Sequence, residues 1–363
     1  MKRISKKFLI ILNVFSNKKI LKFNIMPESD FYIDYASLDD FQRLLIDKKN
    51  NRSMVVTGSA GSGKSLIALH KAKQLATTGD SYVIIVYTKT LRRYFEDGMK
   101  SLGLRNVYHY HQWKFNKRKV KYMIVDECQD FTRQQIDEIR EYGEICFFFG
   151  DTAQSIMGFN EPTMPVEETA HLLGVAADPL YFNYRLTKAI AKLGEPVGQV
   201  EDLELKCKRD GEKPNLIYAR NFDEQLDKIA EIIKNRSLTN VGILLPTNDK
   251  GPMSVEYVKN YLKGKGVTCE FKFNANQETE MDLDFHSTNP KIMTWWCAKG
   301  LQFKDVFIPG CETAFSADKR AALYVAMTRC SERLYLGYSG SLCEFFPNPS
   351  SSIYNTSDDD DVI

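Results

Sequence analysis

The stretch "MVVTGSAGSGKSLIALHKAKQLA", Met54 to Ala76, decides the fold. A short β-branched run meets G-x-x-x-x-G-K-[ST] at Gly58–Ser65 and passes directly into a helical pattern. Strand, glycine-rich turn and helix in that order are the context a phosphate-binding loop requires. The backbone N–H groups of Gly58, Ser59, Ala60, Gly61, Ser62 and Gly63 can turn inward around phosphates at a helix N-terminus. Lys64 then supplies a point charge to the β and γ oxygens, and Ser65 a hydroxyl to Mg²⁺.

A metal-bound triphosphate also needs a carboxylate at a neighbouring strand end. "YMIVDECQD", Tyr122 to Asp130, provides Asp126 for the metal and Glu127 beside it to orient an attacking water. Unpaired acids at the end of an apolar run are costly, and a cation supplies the reason for them.

Similar apolar runs recur at 54–58, 82–87, 122–127, 146–151, 241–247, 291–296, 305–310 and 333–338. Runs without alternation are what strands buried on both faces look like, so the chain reads as α/β with parallel sheets flanked by helices. Its 363 residues and 43% apolar content suit two domains. The loop-rich stretch between Gly150 and Leu180 is the expected seam, giving a first domain over 37–175 and a second over 176–346. The end, "FPNPSSSIYNTSDDDDVI", is Ser/Asn/Pro-rich and acidic, so 347–363 is expected to be a disordered tail.

A net charge of +2 announces no nucleic-acid binder by itself, and any basic surface must be local. The eight cysteines are scattered without C-x-x-C spacing, which points to reduced, buried thiols in a cytoplasmic protein. Residues 1–36 form a basic leader whose apolar run Phe8–Phe15 imitates a signal peptide but lacks a small-residue cleavage site, and Met26 offers an alternative start. No run reaches the roughly 20 apolar residues of a membrane helix, so no membrane role is expected.

The pair "DECQD" and "GDTAQSIMGF", at 126–130 and 150–159, resembles the superfamily 1 helicases of the UvrD/Rep/PcrA type, and the similarity extends from Leu38 to about Leu336. The resemblance implies two tandem RecA-like P-loop NTPase domains with ATP at their interface, 3′ to 5′ movement on single-stranded DNA, and ATP with Mg²⁺ as cofactors. "LDDFQ" is similar to the family's adenine-reading motif, making Gln42 the base contact. "NYR", 183–185, would stack Tyr184 on adenine and bring Arg185 to the γ-phosphate. Asp151 would join the coupling network, Gln154 would sense the γ-phosphate, and Arg329 of "ALYVAMTRCSERLYL" would be the arginine finger.

On the strand-binding side the resemblance implies Thr88 and Arg92 in "YTKTLRR", His111 in "YHYHQW" and Phe159 as a stacking aromatic. "TWWCAKGLQF", 294–303, looks like the lysine-glycine motif, bringing Trp296 and Lys299 toward the strand and Gly300 and Gln302 toward the nucleotide. Two departures stand out. Gln302 replaces a glutamate, and both large accessory insertions of the family are missing, which puts independent duplex unwinding in doubt.

Three local readings stay open. "WKFNKRKVK", 113–121, is either a basic hairpin tip beside a nucleic-acid strand or a solvated turn. His109 and His111 alternate along an expected strand and have no metal-ligand spacing. In a strand of period two, Trp295 would face the core and Trp296 the nucleic acid. RNA is not excluded as the track. The competing function is a regulatory ATPase subunit that closes on a protein partner such as a nuclease, motivated by the missing insertions and the acidic tail.

Overall fold

A computed structural model describes residues 34–87, 90–92, 99, 102–156, 158, 161–246, 251–272, 281–314 and 316–355. In the first domain, strands β1 (Met54–Gly58), β2 (Tyr82–Val86), β3 (Val107–His109), β4 (Val120–Val125), β5 (Gly143–Gly150) and β6 (Ala177–Leu180) form one sheet. Its order is β3-β2-β4-β5-β1-β6, parallel throughout. Alternate residues of the apolar runs serve opposite faces. Val56, Ile84, Ile124, Phe147 and Phe149 pack with Ile67, Leu69 and Leu75, whereas Val55, Val83, Ile85, Met123 and Phe148 pack with Trp113, Ile136 and Val166.

The helices that cover these faces are α1 (Asp40–Asp47), α2 (Lys64–Thr78), α3 (Tyr110–Lys114), α4 (Arg133–Tyr142) and α5 (Val166–Leu173). Capping boxes start two of them: Asp39 with Gln42 at α1, and Thr132 with Gln135 at α4.

The second domain begins with β7 (Asn183–Thr187), α6 (Lys188–Gly198), α7 (Leu203–Lys206) and β8 (Cys207–Arg209), where β7 and β8 form a small parallel pair. Then come β9 (Asn215–Ala219), α8 (Phe222–Asn235), β10 (Val241–Leu245), α9 (Val255–Gly264), β11 (Glu270–Lys272), β12 (Met281–Asp282), β13 (Lys291–Thr294), β14 (Phe303–Ile308), α10 (Ala317–Met327) and β15 (Cys330–Ser339). The seven-stranded sheet runs β12-β11-β13-β10-β14-β15-β9, antiparallel only at the β11–β12 edge. Two parallel sheets covered by helices make the tandem RecA-like architecture that the sequence implied.

Several expectations need correction. Because β6 hydrogen-bonds β1, the seam falls after Leu180 and not at 175/176. Residues 347–355 are not a free tail: Tyr354 is 2% exposed and donates to the Pro347 carbonyl, while Asn355 bridges to Asn215. The end of the expected tail, 356–363, and nearly all of the leader lie outside the described residues. Strand β3 stops at His109 and His111 sits on α3, so those two histidines do not alternate along a strand. Strand β13 stops at Thr294, so the tryptophans do not alternate either: their rings stack at 6.2 Å. Trp295 is nonetheless core, its indole N–H donating to the Leu244 carbonyl at 3.1 Å.

All eight cysteines are free and buried. Among the described residues no helix is long and apolar enough to cross a membrane.

Candidate nucleotide site

In a parallel sheet every strand ends on the same edge, so the loops that follow the strands converge there. The glycine-rich loop follows β1, Asp126 and Glu127 follow β4, and Asp151 follows β5. The second domain closes over this edge and leaves a cleft of about 360 Å³. Lining it are Gln42, Ala60, Gly61, Gly63, Lys64, Ser65, Glu127 and Gln154 from one side, and Tyr184, Arg185, Gly300, Gln302 and Arg329 from the other.

Gly61 and Gly63 have φ of +80° and +93°, conformations that side chains rarely adopt. Space forbids a side chain as well. A Cβ on Gly61 would lie 2.4 Å from that of Arg185, and one on Gly63 would lie 2.3 Å from Gln42 Nε2. Lys64 Nζ donates to the carbonyls of Gly58 at 2.6 Å and Ser59 at 3.1 Å, so the ammonium already points along the inner wall of the loop.

Strand β7 is sewn to the same loop. Asn183 Nδ2 donates to the Ala60 carbonyl at 2.5 Å, and the Tyr184 N–H donates to the Gly61 carbonyl at 3.0 Å. The Tyr184 hydroxyl donates to Asp39, whose other carboxylate oxygen caps α1 through the N–H groups of Phe41 and Gln42. Burial, with the Asp39 hydrogen bond adding to it, pushes the Tyr184 hydroxyl well above its ordinary range. Gln42 faces both ways, accepting from the Asp39 N–H at 3.3 Å and donating to the Ser62 carbonyl at 3.1 Å.

The acids have opposite electrostatic fates. Burial, then the Glu127 charge, pushes Asp126 up to about 7, with a Ser65 hydrogen bond and the Lys64 charge opposing. One oxygen accepts the Glu127 N–H at 3.0 Å, whereas Oδ2 is buried without a partner. A buried acceptor beside a hydroxyl and a phosphate-loop lysine is chemistry that fits a divalent cation. Burial would also raise Glu127, but the charges of Lys299, Lys64 and Arg329 outweigh it and hold this carboxyl below its usual range.

Two guanidinium groups face these acids from the second domain. Arg329 is buried, donates to Gln154 Oε1 at 2.5 Å, and is brought down to about 9 by burial and then by the Arg185 charge. Arg185 donates through Nε to Gln302 Oε1 at 2.9 Å and through Nη1 to the Thr328 carbonyl at 3.3 Å. Gln302 therefore touches an arginine of the site. Gly300, at φ +81°, packs its bare Cα on Leu91 of the first domain, where a Cβ would lie 2.6 Å from Leu91 Cδ1.

The expected nucleic-acid residues divide. Arg92 is half-buried after β2, His111 is exposed after β3 and Trp296 is half-buried after β13, each past the C-terminal end of its strand. Thr88 and Phe159 lie outside the described residues. Lys299 is only 1% exposed and is ion-paired with Asp130 at 2.7 Å, so in this arrangement it has no surface to offer a strand.

The basic stretch 113–121 resolves toward a solvated turn. Trp113 is core, Lys117 pairs with Glu138 and Lys121 pairs with Asp80. Lys119 and Lys121 also lie at the start of β4, beside Ser81 and Gly143, which is the opposite edge of the sheet from the cleft. The aromatic left in solvent there is Phe115, 90% exposed.

Sequence reasoning passed over Asp39, Gln129, Asp130, Asn183 and Thr328 as parts of the site. For Asp39 a signal existed, the capping-box spacing of three to Gln42.

Comparison with known proteins gives two family matches. Residues 54–228 match the family described as the viral superfamily 1 RNA helicase core domain, and residues 292–336 match the UvrD-like helicase C-terminal domain. Over these two stretches the chain is similar to superfamily 1 helicases. The first match covers most of the first domain and runs into the second, taking in the glycine-rich loop, Asp126, Glu127, Gln154 and Arg185, and the second match covers Trp296, Gly300, Gln302 and Arg329.

Among solved structures, the C-terminal domain of a possible DNA helicase from Lactobacillus plantarum WCFS1 is 21% identical, with 47% of this chain and 96% of that one covered at a TM-score of 0.37. The Arterivirus nonstructural protein 10 helicase in complex with DNA is 15% identical, with 81% of this chain and 62% of that one covered at a TM-score of 0.43. The chain thus spans about three-fifths of the arterivirus protein. No curated protein matches the sequence.

Proposed function

We propose that the protein is an ATP-dependent translocase on single-stranded DNA of the UvrD-like class, moving 3′ to 5′, in which hydrolysis reports as movement between the two domains. The observation that carries this reading is the cleft itself: Lys64 and Glu127 line it from one domain, and Arg185 and Arg329 line it from the other. Charge stabilisation is then complete only while the domains are closed.

In this reading Gln42 and Tyr184 hold adenine, and the loop from Gly58 to Ser65 holds the phosphates. Ser65 and Asp126 hold Mg²⁺, which when bound supplies charge neutralisation at the β and γ oxygens. Glu127 orients the attacking water by accepting its proton, Gln154 senses the γ-phosphate, and Arg185 and Arg329 neutralise the charge that develops there. Arg92, His111 and Trp296, each past the end of its strand, suit a nucleic-acid strand crossing the C-terminal edges of both sheets.

The test compares ATP turnover by purified protein alone and with single-stranded DNA, duplex DNA or RNA, using Lys64→Ala as the blank. Stimulation by single-stranded DNA is expected, and it should weaken steeply as salt is raised. Turnover indifferent to every nucleic acid would reject the motor. Partner-dependent activity that survives Glu127→Gln would favour the regulatory subunit instead.

A further inference from the structure

Glu127 stands on a backbone turn with φ +55°, a left-handed conformation that costs a glutamate energy and persists only where the surroundings enforce it. Its carboxylate is held by Gln129, which is fully buried. Gln129 Nε2 donates to Glu127 Oε2 at 2.5 Å, while Gln129 Oε1 accepts the backbone N–H of Asp151 at 2.9 Å. A backbone N–H only donates, so the amide has one permitted orientation, with its –NH₂ toward Glu127. The Gln129 carbonyl is pinned as well, accepting from Ser155 Oγ at 3.1 Å.

The chain of bonds continues into the second domain. Asp151 Oδ2 accepts from Gln154 Nε2 at 2.5 Å, and Gln154 Oε1 accepts from Arg329 Nη2 at 2.5 Å. Polarity is again fixed from the far end. A guanidinium only donates, so the Gln154 oxygen must face it and the Gln154 –NH₂ must face Asp151. From Arg329 through Gln154, the 151–154 segment and Gln129 to Glu127, each group's direction is dictated by its neighbour.

We propose that Gln129 is a positioning residue for hydrolysis: it aims the Glu127 carboxylate at the attacking water and makes that aim depend on whether Arg329 is docked on Gln154. The inference rests on the hydrolytic reading given above. With the domains apart, Gln154 loses the donor that sets its orientation, the 151–154 segment loses its anchor, and Gln129 is freed to turn away from Glu127. Hydrolysis is thereby withheld until the second domain is seated.

The experiment measures ATP turnover of the full chain with saturating single-stranded DNA for wild type, Gln129→Met, Gln154→Met and the double variant. Methionine keeps the volume and removes both hydrogen bonds. Gln129→Met is expected to lower kcat about 10- to 100-fold, as loss of a group that orients a reacting residue commonly does, with KM for ATP within about twofold. The double variant is expected to be no slower than the slower single one, because groups acting in one chain are not additive. Gln129→Glu retains the acceptor for Asp151 and sets a like charge against Glu127, so it too must lose kcat, which covers a methionine variant that fails to fold. A kcat within twofold of wild type, a fully multiplicative double variant, or a loss confined to KM would each overturn the proposal. A wild-type chain that hydrolyses no nucleotide, while the 151–154 bonds persist, overturns the functional reading first and the proposal with it.

Discussion

Lys299 Nζ lies 2.7 Å from Asp130 Oδ1 across the domain seam, with both side chains buried, and also donates to the Gln154 carbonyl. Removing one partner of such a pair leaves an uncompensated buried charge, at about 3–5 kcal/mol. Lys299→Met should therefore lower the thermal midpoint clearly, and adding Asp130→Leu should recover most of the loss. An unchanged melting curve combined with weakened DNA binding would return Lys299 to the nucleic-acid surface.

The tryptophan pair separates by the same kind of measurement. Trp295 is fully buried and hydrogen-bonded, so Trp295→Ala should cost about 3–5 kcal/mol of stability. Trp296 is half-buried, and Trp296→Ala should spare most of the fold while weakening single-stranded DNA by about 1–3 kcal/mol if it stacks on a base. Equal losses of stability with unchanged DNA affinity would make both of them core.

Gln302 accepts from Arg185 without neutralising it. A glutamate there would turn a neutral acceptor into a charged one, strengthening the bond by about 1 kcal/mol. Gln302→Glu is thus expected to draw Arg185 from the phosphate and reduce kcat several-fold. A kcat equal to or above wild type in steady-state assays would show that Arg185 is not retained in that way.

Asp126 gives a pH signature. Its folded-state value of about 7 lies above the ordinary aspartate value, so the folded, ligand-free chain favours the protonated acid. That preference stabilises the fold at low pH and is lost as pH rises through 7. Cation binding needs the carboxylate. Stabilisation by Mg²⁺ with nucleotide should therefore increase from pH 6 to pH 8, with affinity falling up to about tenfold per unit below 7. A shift in melting temperature that is flat across this range would exclude Asp126 as a metal ligand.

Gly61→Ala must place a Cβ at φ +80° and 2.4 Å from Arg185, whereas Gly79, at φ +74°, faces open space. Both variants bear backbone strain of about 1–3 kcal/mol. Only Gly61→Ala should abolish nucleotide binding by titration, and binding retained in both would mean that the loop moves freely from Arg185.

The eight apolar runs marked the centres of both sheets because strands covered on two faces need continuous apolar sequence. Strands β3, β6, β7, β8, β9, β11 and β12 escaped that reading. Apart from β11, which lies one strand in, they lie at sheet edges or in the small pair, and all are short and partly polar, as "ADPL" of β6 illustrates. The glycine-rich loop, Asp126 and Glu127, and both arginines are legible as motifs. Of the partners around them, Asp39 leaves a capping-box spacing, whereas Gln129 and Asn183 act through contacts that sequence spacing does not encode. Tyr354, inside a stretch with a disordered composition, is anchored by tertiary packing against the second core.

The stitches from Asn183 and Tyr184 to the carbonyls of Ala60 and Gly61 are made entirely by protein groups. Any parting of the two domains must therefore break these stitches together with the Lys299–Asp130 ion pair, so the backbone of the phosphate loop is itself a party to every opening of the cleft.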